Sequence, residues 1–247
     1  MDLKTFFTEN PVIALGFSGG VDSSYLLYAA LQNGAKVKAY FLKTAFQPQF
    51  EMDDAMSLAK QLNADLTILS YDVTDFPSVL ANPFDRCYHC KTALFTAMQK
   101  QALADGCPLL IDGTNASDEV DNRPGMKALT ELSVRSPLRE CGLTKDDVRR
   151  LSRETGLPSW NKPSYACLAT RVPTGKKITV DLLQRVEAAE NILFEMGFID
   201  FRCRIYDDAA RLQFPSVQMI KAIQLRDEII TRLNPYFKIV LLDLVSR

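Results

Sequence analysis

Histidine is nearly missing from this chain, with His89 the single one in 247 residues. Conventional imidazole acid–base catalysis has no other candidate, and His89 reads more naturally as a local cap or supporting donor. Long apolar runs are absent too, since no segment approaches the ~20 residues of a membrane span. Met1 to Asn10 carries Asp2 and Glu9 and no apolar core, so no secretory leader is expected there and the protein is expected to be cytoplasmic, with no membrane partner. An excess of positive charge is lacking: 29 Lys and Arg face 30 Asp and Glu, and the isoelectric point is near 5.9. That balance argues against counterion-driven duplex binding, so a small substrate is expected and a nucleic acid is not. No internal repeat or low-complexity segment stands out. A chain 47% hydrophobic and 24% charged is an ordinary globular protein of one large or two modest domains.

What is present is a βαβ rhythm. Val12 to Phe17, Val37 to Leu42, Asp65 to Leu69 and Pro108 to Ile111 read as strands, and Ser23 to Gln32, Glu51 to Leu62 and Lys91 to Ala104 as helices. Thr144 to Thr155 reads as a helix with Thr144 as N-cap, Asp146 and Asp147 in its first turn and Gly156 as its stop. The fold class is α/β, a doubly wound parallel sheet over residues 1–174. After Lys177 the rhythm changes to helix (Asp181 to Met196), strand pair (Phe201 to Tyr206, Ala210 to Phe214), helix (Val217 to Leu233) and strand (Phe237 to Leu242). That tail predicts a smaller C-terminal α+β domain over 175–247.

Phe17-Ser18-Gly19-Gly20-Val21-Asp22-Ser23-Ser24 joins the first strand to its helix. A strand feeding a glycine loop that opens a helix is a phosphate cradle. Gly19 and Gly20 allow backbone approach to an anion, and Ser18, Ser23 and Ser24 add hydroxyls at the helix N-terminus. The loop lacks the Lys-Ser/Thr ending of a Walker A loop, so it suits pyrophosphate as a leaving group. Ligands in such sheets sit at strand carboxyl ends, which brings in Thr44 in the Leu42 to Ala45 segment and Gly113, Thr114 and Asn115 after the fourth strand. Asp118 and Asp121 have the oxygen ligands that Mg²⁺ prefers, and Arg123 suits a phosphate or a carboxylate. A turn capped by Asn115 and Asp118 is the plainer alternative.

Six cysteines in an intracellular chain invite metal, cluster or thiol chemistry. Cys87-Tyr88-His89-Cys90 puts a C-x-x-C at a helix start, which favours redox exchange or soft-metal ligation. No second C-x-x-C exists to complete a zinc site. Cys107, Cys141 and Cys203 have apolar or strand-like neighbours and read as structural. Cys167 stands in a long, proline-rich loop with the only tryptophan, Trp160, and with Lys162 and Arg171, two cations that would lower a thiol pKa and attract an anion. Cys87, Cys90 and Cys167 suit a [4Fe-4S] cluster with one iron open, against the alternative of a redox pair plus an unrelated cysteine.

The loop S-G-G-V-D-S-S resembles the PP-loop of the ATP pyrophosphatases, the adenine nucleotide alpha hydrolase-like enzymes. Together with C-Y-H-C-K, G-T-N-A-S-D, R-P-G, S-P-L-R-E (Ser136 to Glu140) and G-L-P-S-W-N-K-P, the chain from about Pro11 to Arg204 resembles the LarE group of ATP-dependent sulfur transferases. The resemblance implies adenylation by ATP and Mg²⁺ of a carboxylate of pyridinium-3,5-biscarboxylic acid mononucleotide, followed by displacement of AMP by sulfur, at both carboxylates in turn. The product is the dithio precursor of the nickel-pincer nucleotide. It also implies that Arg171 acts at the site, that Glu190, Arg202 and Arg204 face the substrate phosphate, and that the enzyme is a homo-hexamer working with a sulfide or sulfur donor and the other nickel-pincer biosynthesis proteins. The group has two sulfur sources, a sacrificed cysteine at the Cys167 position or a three-cysteine [4Fe-4S] cluster, and the presence of Cys87 and Cys90 favours the cluster. Amide-forming PP-loop ligases of the NAD synthetase type need no three cysteines, and a tRNA thiolase needs an RNA-binding surface. A non-catalytic nucleotide or metal carrier would not need an intact phosphate loop.

Overall fold

The computed structural model describes residues 1–119 and 124–247, and its contacts divide the chain into two compact units. The first comprises Met1–Val79 and Asp85–Lys162, the second Leu80–Phe84 and Pro163–Arg247.

In the first unit α1 (Leu3–Glu9) precedes β1 (Val12–Gly16), α2 (Val21–Gln32), β2 (Lys36–Lys43), α3 (Gln49–Gln61) and β3 (Asp65–Ser70). The short α4 (Pro77–Leu80) leads to α5 (Arg86–Ala104), β4 (Leu109–Ile111), α6 (Pro124–Glu131), α7 (Pro137–Glu140) and α8 (Lys145–Glu154). The strands are parallel in the order β3-β2-β1-β4. Strand alternation sends Ile13, Leu15, Val37, Ala39 and Phe41 into a core shared with α1, α2, α3 and α8, and Ala14, Tyr40 and Leu110 into a second core against Met98 and Ala102 of α5. With both faces covered, near-continuous apolar strands are what the sheet requires. Winding runs from β1 out through β2 to β3, then resumes on the other side of β1 with β4. This is the doubly wound arrangement, with its switch point between β1 and β4.

Most boundaries follow the residue chemistry. Thr144 caps α8 in a full capping box with Asp147, and Gly156 stops it at φ +73°. The sequence left α1 unread: Asp2 caps it by accepting from the Thr5 N–H at 2.8 Å, and Phe6 and Phe7 enter the core. Helix α5 starts at Arg86, five residues before Lys91, so Cys87 and Cys90 stand in its first turn.

The second unit packs α9 (Val180–Glu195) on the antiparallel pair β5 (Arg202–Tyr206) and β6 (Ala209–Gln213). Leu183, Val186, Ala189 and Leu193 form the buried stripe of α9, and Phe198, Phe201 and Phe214 cluster with ring centroids 4.6 and 5.9 Å apart. The expected helix from Val217 to Leu233 is two helices, α10 (Met219–Gln224) and α11 (Arg226–Leu233), before β7 (Val240–Leu242), which lies parallel to β6. Leu225, at φ −95° and ψ 13°, leaves helical geometry without any glycine or proline to announce the break. Among the described residues no helix is long and apolar enough to cross a membrane.

Candidate functional site

The loop after β1 turns through Gly19 at φ +68°, where a Cβ would stand 2.9 Å from the Ala55 Cα. Both the left-handed backbone and the close approach of α3 demand glycine. Ser18 and Ser23 close the loop on itself: their Oγ atoms lie 3.1 Å apart, and the Ser23 hydroxyl donates to the Gly20 carbonyl at 3.3 Å. The N–H groups that open α2 therefore stand at a preformed concave turn, the geometry that receives phosphate oxygens. Ser24 is fully buried behind it.

The turn after β4 meets this loop at the switch point. Gly113 packs so closely that a Cβ would be 2.9 Å from the Ser23 nitrogen. Asp112 accepts hydrogen bonds from the Thr114 and Ser136 hydroxyls, each at 2.6 Å, and the Asn115 amide donates to an Asp22 oxygen at 3.2 Å. The other Asp22 oxygen takes the Lys145 ammonium at 2.5 Å. Asp118 accepts from the Asn115 N–H at 3.0 Å. Ser18, Gly20, Asp22, Ser23, Gly113, Thr114 and Asp118 line one cleft of about 250 Å³. On the other flank of Gly19 a hollow of about 370 Å³ lies against Asp54 and Lys162, whose ammonium is 2.7 Å from Asp54 and 3.5 Å from the Gly19 carbonyl.

Ser136-Pro-Leu-Arg-Glu supports this turn from behind. The Arg135 backbone pairs beside β4, accepting from the Asp112 N–H at 2.9 Å. Glu140 accepts from the Arg135 Nε at 3.0 and 3.1 Å and from the Ser136 N–H, and the Arg139 guanidinium donates to the Asp118 carbonyl at 2.6 Å. The Arg135 hydrogen bonds hold the Glu140 carboxyl below its ordinary pKa despite burial.

The cysteines fall in different settings. Cys87 is exposed and Cys90 half-buried in the first turn of α5, with the Arg86 guanidinium 3.8 Å from the Cys87 sulfur. Cys90 shares a small apolar recess with Thr44, whose buried hydroxyl donates to Gln47 at 2.8 Å. His89 pairs with Asp85 at 3.2 Å. Cys107 is buried and Cys141 half-buried, and burial raises both thiol pKa values, as structural cysteines require. Among the described residues no three His, Cys, Asp or Glu side chains are gathered as a metal group. Asp121 and Arg123 lie outside the described residues.

In the second unit Cys167 is half-buried and precedes a 3₁₀ turn, Leu168–Arg171. Arg171 and Glu190, each 1% exposed, form a buried ion pair at 2.8 Å. Glu190 also accepts from the Cys203 N–H at 2.8 Å and from the Tyr165 hydroxyl. Burial, the largest single influence, would lower the Arg171 pKa, but the hydrogen bonds and charge of Glu190, with smaller contributions from Tyr165 and Cys167, together raise it. Arg202 is pushed down to about 10, by burial first and then by the charges of Arg171 and Arg247. Arg204 is half-buried and shifted down for the same kind of reason, burial plus Arg171, Arg211 and Arg247. Lys145, on Asp22, and Tyr165, on Glu190, touch expected site residues and were themselves missed by sequence reasoning. Lys145, in the first position of a capped helix, had a visible signal, whereas Tyr165 had none beyond its place two residues before Cys167.

The family model described as thiamine biosynthesis protein (ThiI) matches residues 7–189. An uncharacterised protein of Synechocystis sp. is 36% identical over 98% of this chain and 92% of its own. The pyridinium-3,5-bisthiocarboxylic acid mononucleotide synthase of Lactiplantibacillus plantarum is 33% identical over 94% of this chain and 85% of its own. A tRNA-specific 2-thiouridylase MnmA of a Thermotoga species is 25% identical over 59% of this chain and 52% of its own. With a PP-loop at the switch point of a doubly wound sheet, a family match over residues 7–189 and a 33% identical relative over 94% of its length, the chain belongs to the ThiI-related PP-loop enzymes and, among them, to the LarE-type ATP-dependent sulfurtransferases.

Proposed function

We propose that this enzyme converts the carboxylates of pyridinium-3,5-biscarboxylic acid mononucleotide into thiocarboxylates, one adenylation for each sulfur. The observation that carries the reading is the cleft at the switch point, where the PP-loop and the Asp112 to Asp118 turn meet, in a chain 33% identical to a synthase of the corresponding bisthiocarboxylic product. ATP lies with its β- and γ-phosphates in the Ser18 to Ser23 nest. A substrate carboxylate oxygen attacks the α-phosphorus, the bond to the bridging oxygen breaks, and pyrophosphate leaves toward the helix N-terminus and Lys145. A sulfur nucleophile then attacks the acyl carbon and AMP departs. Asp22 and Asp118 carry the oxygen ligands for Mg²⁺, which when bound neutralises phosphate charge. Arg204, half-buried in a field of three further arginines, is assigned the substrate phosphate, while Glu190, Arg171 and Arg202 are buried.

For the sulfur source, the donor chemistry fits a [4Fe-4S] cluster: two thiols in one helical turn, exposed and half-buried, with a guanidinium beside the first, and a third thiol at Cys167. Cys87, Cys90 and Cys167 would hold it, and when bound it supplies an iron with an open position for sulfide. The test is anaerobic purification, quantification of iron and acid-labile sulfide, then incubation with ATP, Mg²⁺, sulfide and the dicarboxylate nucleotide while thiocarboxylate is followed by mass spectrometry. Iron bound by the wild type and lost from Cys87→Ala and Cys90→Ala is expected. Conversion of Cys167 to dehydroalanine in iron-free protein would replace this with the sacrificial route, and AMP release without a sulfur product would indicate an amide ligase.

A further inference from the structure

The backbone around Cys167 is held by guanidinium groups more than by regular structure. The Arg202 Nη2 donates to the Ser164 carbonyl at 2.8 Å, the Arg171 Nη1 to the Ala166 carbonyl at 3.0 Å, and the Arg204 Nη1 to the Thr170 carbonyl at 2.8 Å. Three carbonyls that flank Cys167 thus depend on three neighbouring cations, two of them buried. Like charges at such range repel strongly when water is excluded, so the arrangement needs compensation from fixed groups.

Glu190 supplies part of it, as a bidentate acceptor from Arg171. Asp200, 3.9 Å from the Arg202 guanidinium, and Tyr165 supply the rest. The Tyr165 ring lies 4.6 Å from the Arg171 guanidinium carbon and 5.2 Å from that of Arg202, and its hydroxyl donates to Glu190. An aromatic face attracts a cation through its quadrupole, more so when both are desolvated. One side chain therefore touches both buried arginines and the carboxylate paired with Arg171, two residues away from Cys167.

We propose that Tyr165 is a positioning residue for Cys167: it holds Arg171, Arg202 and Glu190 in the arrangement that clamps the backbone from Ser164 to Thr170 and so fixes where the thiol stands. The inference rests on the reading of Cys167 as a sulfur-handling residue, yet its first test does not need turnover. The fully buried Cys203, whose N–H is bonded to the same Glu190, serves as internal control.

The experiment alkylates the protein as isolated with iodoacetamide and reads the rate at each cysteine by peptide mass spectrometry. Tyr165→Leu, which removes ring and hydroxyl, is expected to accelerate alkylation of Cys167 on the order of tenfold with Cys203 still silent. An unchanged Cys167 rate overturns the proposal. Simultaneous reactivity of Cys203 overturns it as well, because the ring would then be general packing of the unit. Should Tyr165→Leu not accumulate as folded protein, Tyr165→Phe decides alone: a rise of about two- to threefold at Cys167 supports the clamp, and the wild-type rate refutes it. In turnover, Tyr165→Leu is expected to raise the ratio of pyrophosphate released to thiocarboxylate formed, with the KM for ATP within about twofold of wild type. A wild type that forms no thiocarboxylate would sink the functional reading and leave the alkylation result to judge Tyr165.

Discussion

The two units hold the Ser18 loop and the Cys167 loop by opposite means. In the first, glycines and short polar side chains bring two backbone turns into contact, with Gly113 against Ser23 and Asn115 on Asp22. In the second, long buried arginines reach to the carbonyls around Cys167 and are balanced by Glu190 and Tyr165. The first kind of site depends on space, the second on charge compensation. A phosphate cradle must expose N–H groups and keep side chains out, whereas a loop held by buried cations needs fixed groups that balance their charge.

The sharpest test removes one charge from each unit. Glu190→Ala leaves Arg171 buried without its carboxylate, and a loss of about 3–5 kcal/mol in urea unfolding is expected. Asp22→Ala removes the partner of Lys145, but both side chains are roughly a quarter exposed, and the expected cost is about 1 kcal/mol or less. Equal losses would erase the distinction. A double replacement, Arg171→Met with Glu190→Leu, should recover part of the loss, since it removes the orphaned charge but leaves the Cys203 N–H without its acceptor.

The converse test changes space. Gly113→Ala drives a methyl group to 2.9 Å from the Ser23 backbone nitrogen, so the turn and the start of α2 must separate. A cost of about 1–3 kcal/mol in stability is expected, with ATP affinity weaker by roughly tenfold by equilibrium dialysis. An alanine at Gly34, where a Cβ would meet nothing within 4 Å, carries only the penalty of its left-handed backbone and should leave ATP binding unchanged. ATP affinity that survives Gly113→Ala would show that the two turns need not touch.

Lys145 extends the comparison to a cation paired with Asp22, which lines the cleft. Lys145→Met is expected to raise the KM for ATP by about tenfold, with partial recovery in Lys145→Arg. Steady-state kinetics with pyrophosphate detection would show this, and an unchanged KM would confine Lys145 to its pairing with Asp22.

The same difference explains what the sequence made legible. Space-dependent features leave local signatures: S-G-G-V-D-S-S, the glycine after β4 and the Thr144 N-cap all read directly, and the alternating apolar segments placed β1 to β4. Charge compensation leaves none. Nothing about Tyr165 or Glu190 in the linear chain announces that one ring meets two guanidinia, because the partners come from a loop, a helix and a strand far apart in sequence. The break at Leu225 escaped for a related reason, since Val217 to Leu233 contains no breaker and packing alone divides it. Helix α1 went unread because seven residues give too little periodicity, and its anchors are Phe6 and Phe7 in the core.

The smallest expected effect concerns the support behind the nucleotide turn. The Arg135 hydrogen bonds and charge hold the Glu140 carboxyl below the ordinary value of 4.5. A carboxyl with a depressed folded pKa contributes stability that is present above the unfolded value and is lost as pH falls through the folded one. Urea midpoints should therefore drop more steeply below about pH 4.5 for wild type than for Glu140→Gln, which has no proton to take up there. Because Glu140 is partly exposed, the difference should be modest. It should be accompanied by a loss of ATP affinity in Glu140→Gln at neutral pH, since Arg135 and Ser136 carry the Asp112 turn. Parallel midpoint curves would show that the ion pair contributes nothing, and that the backbone pairing of Arg135 beside β4 holds the turn unaided.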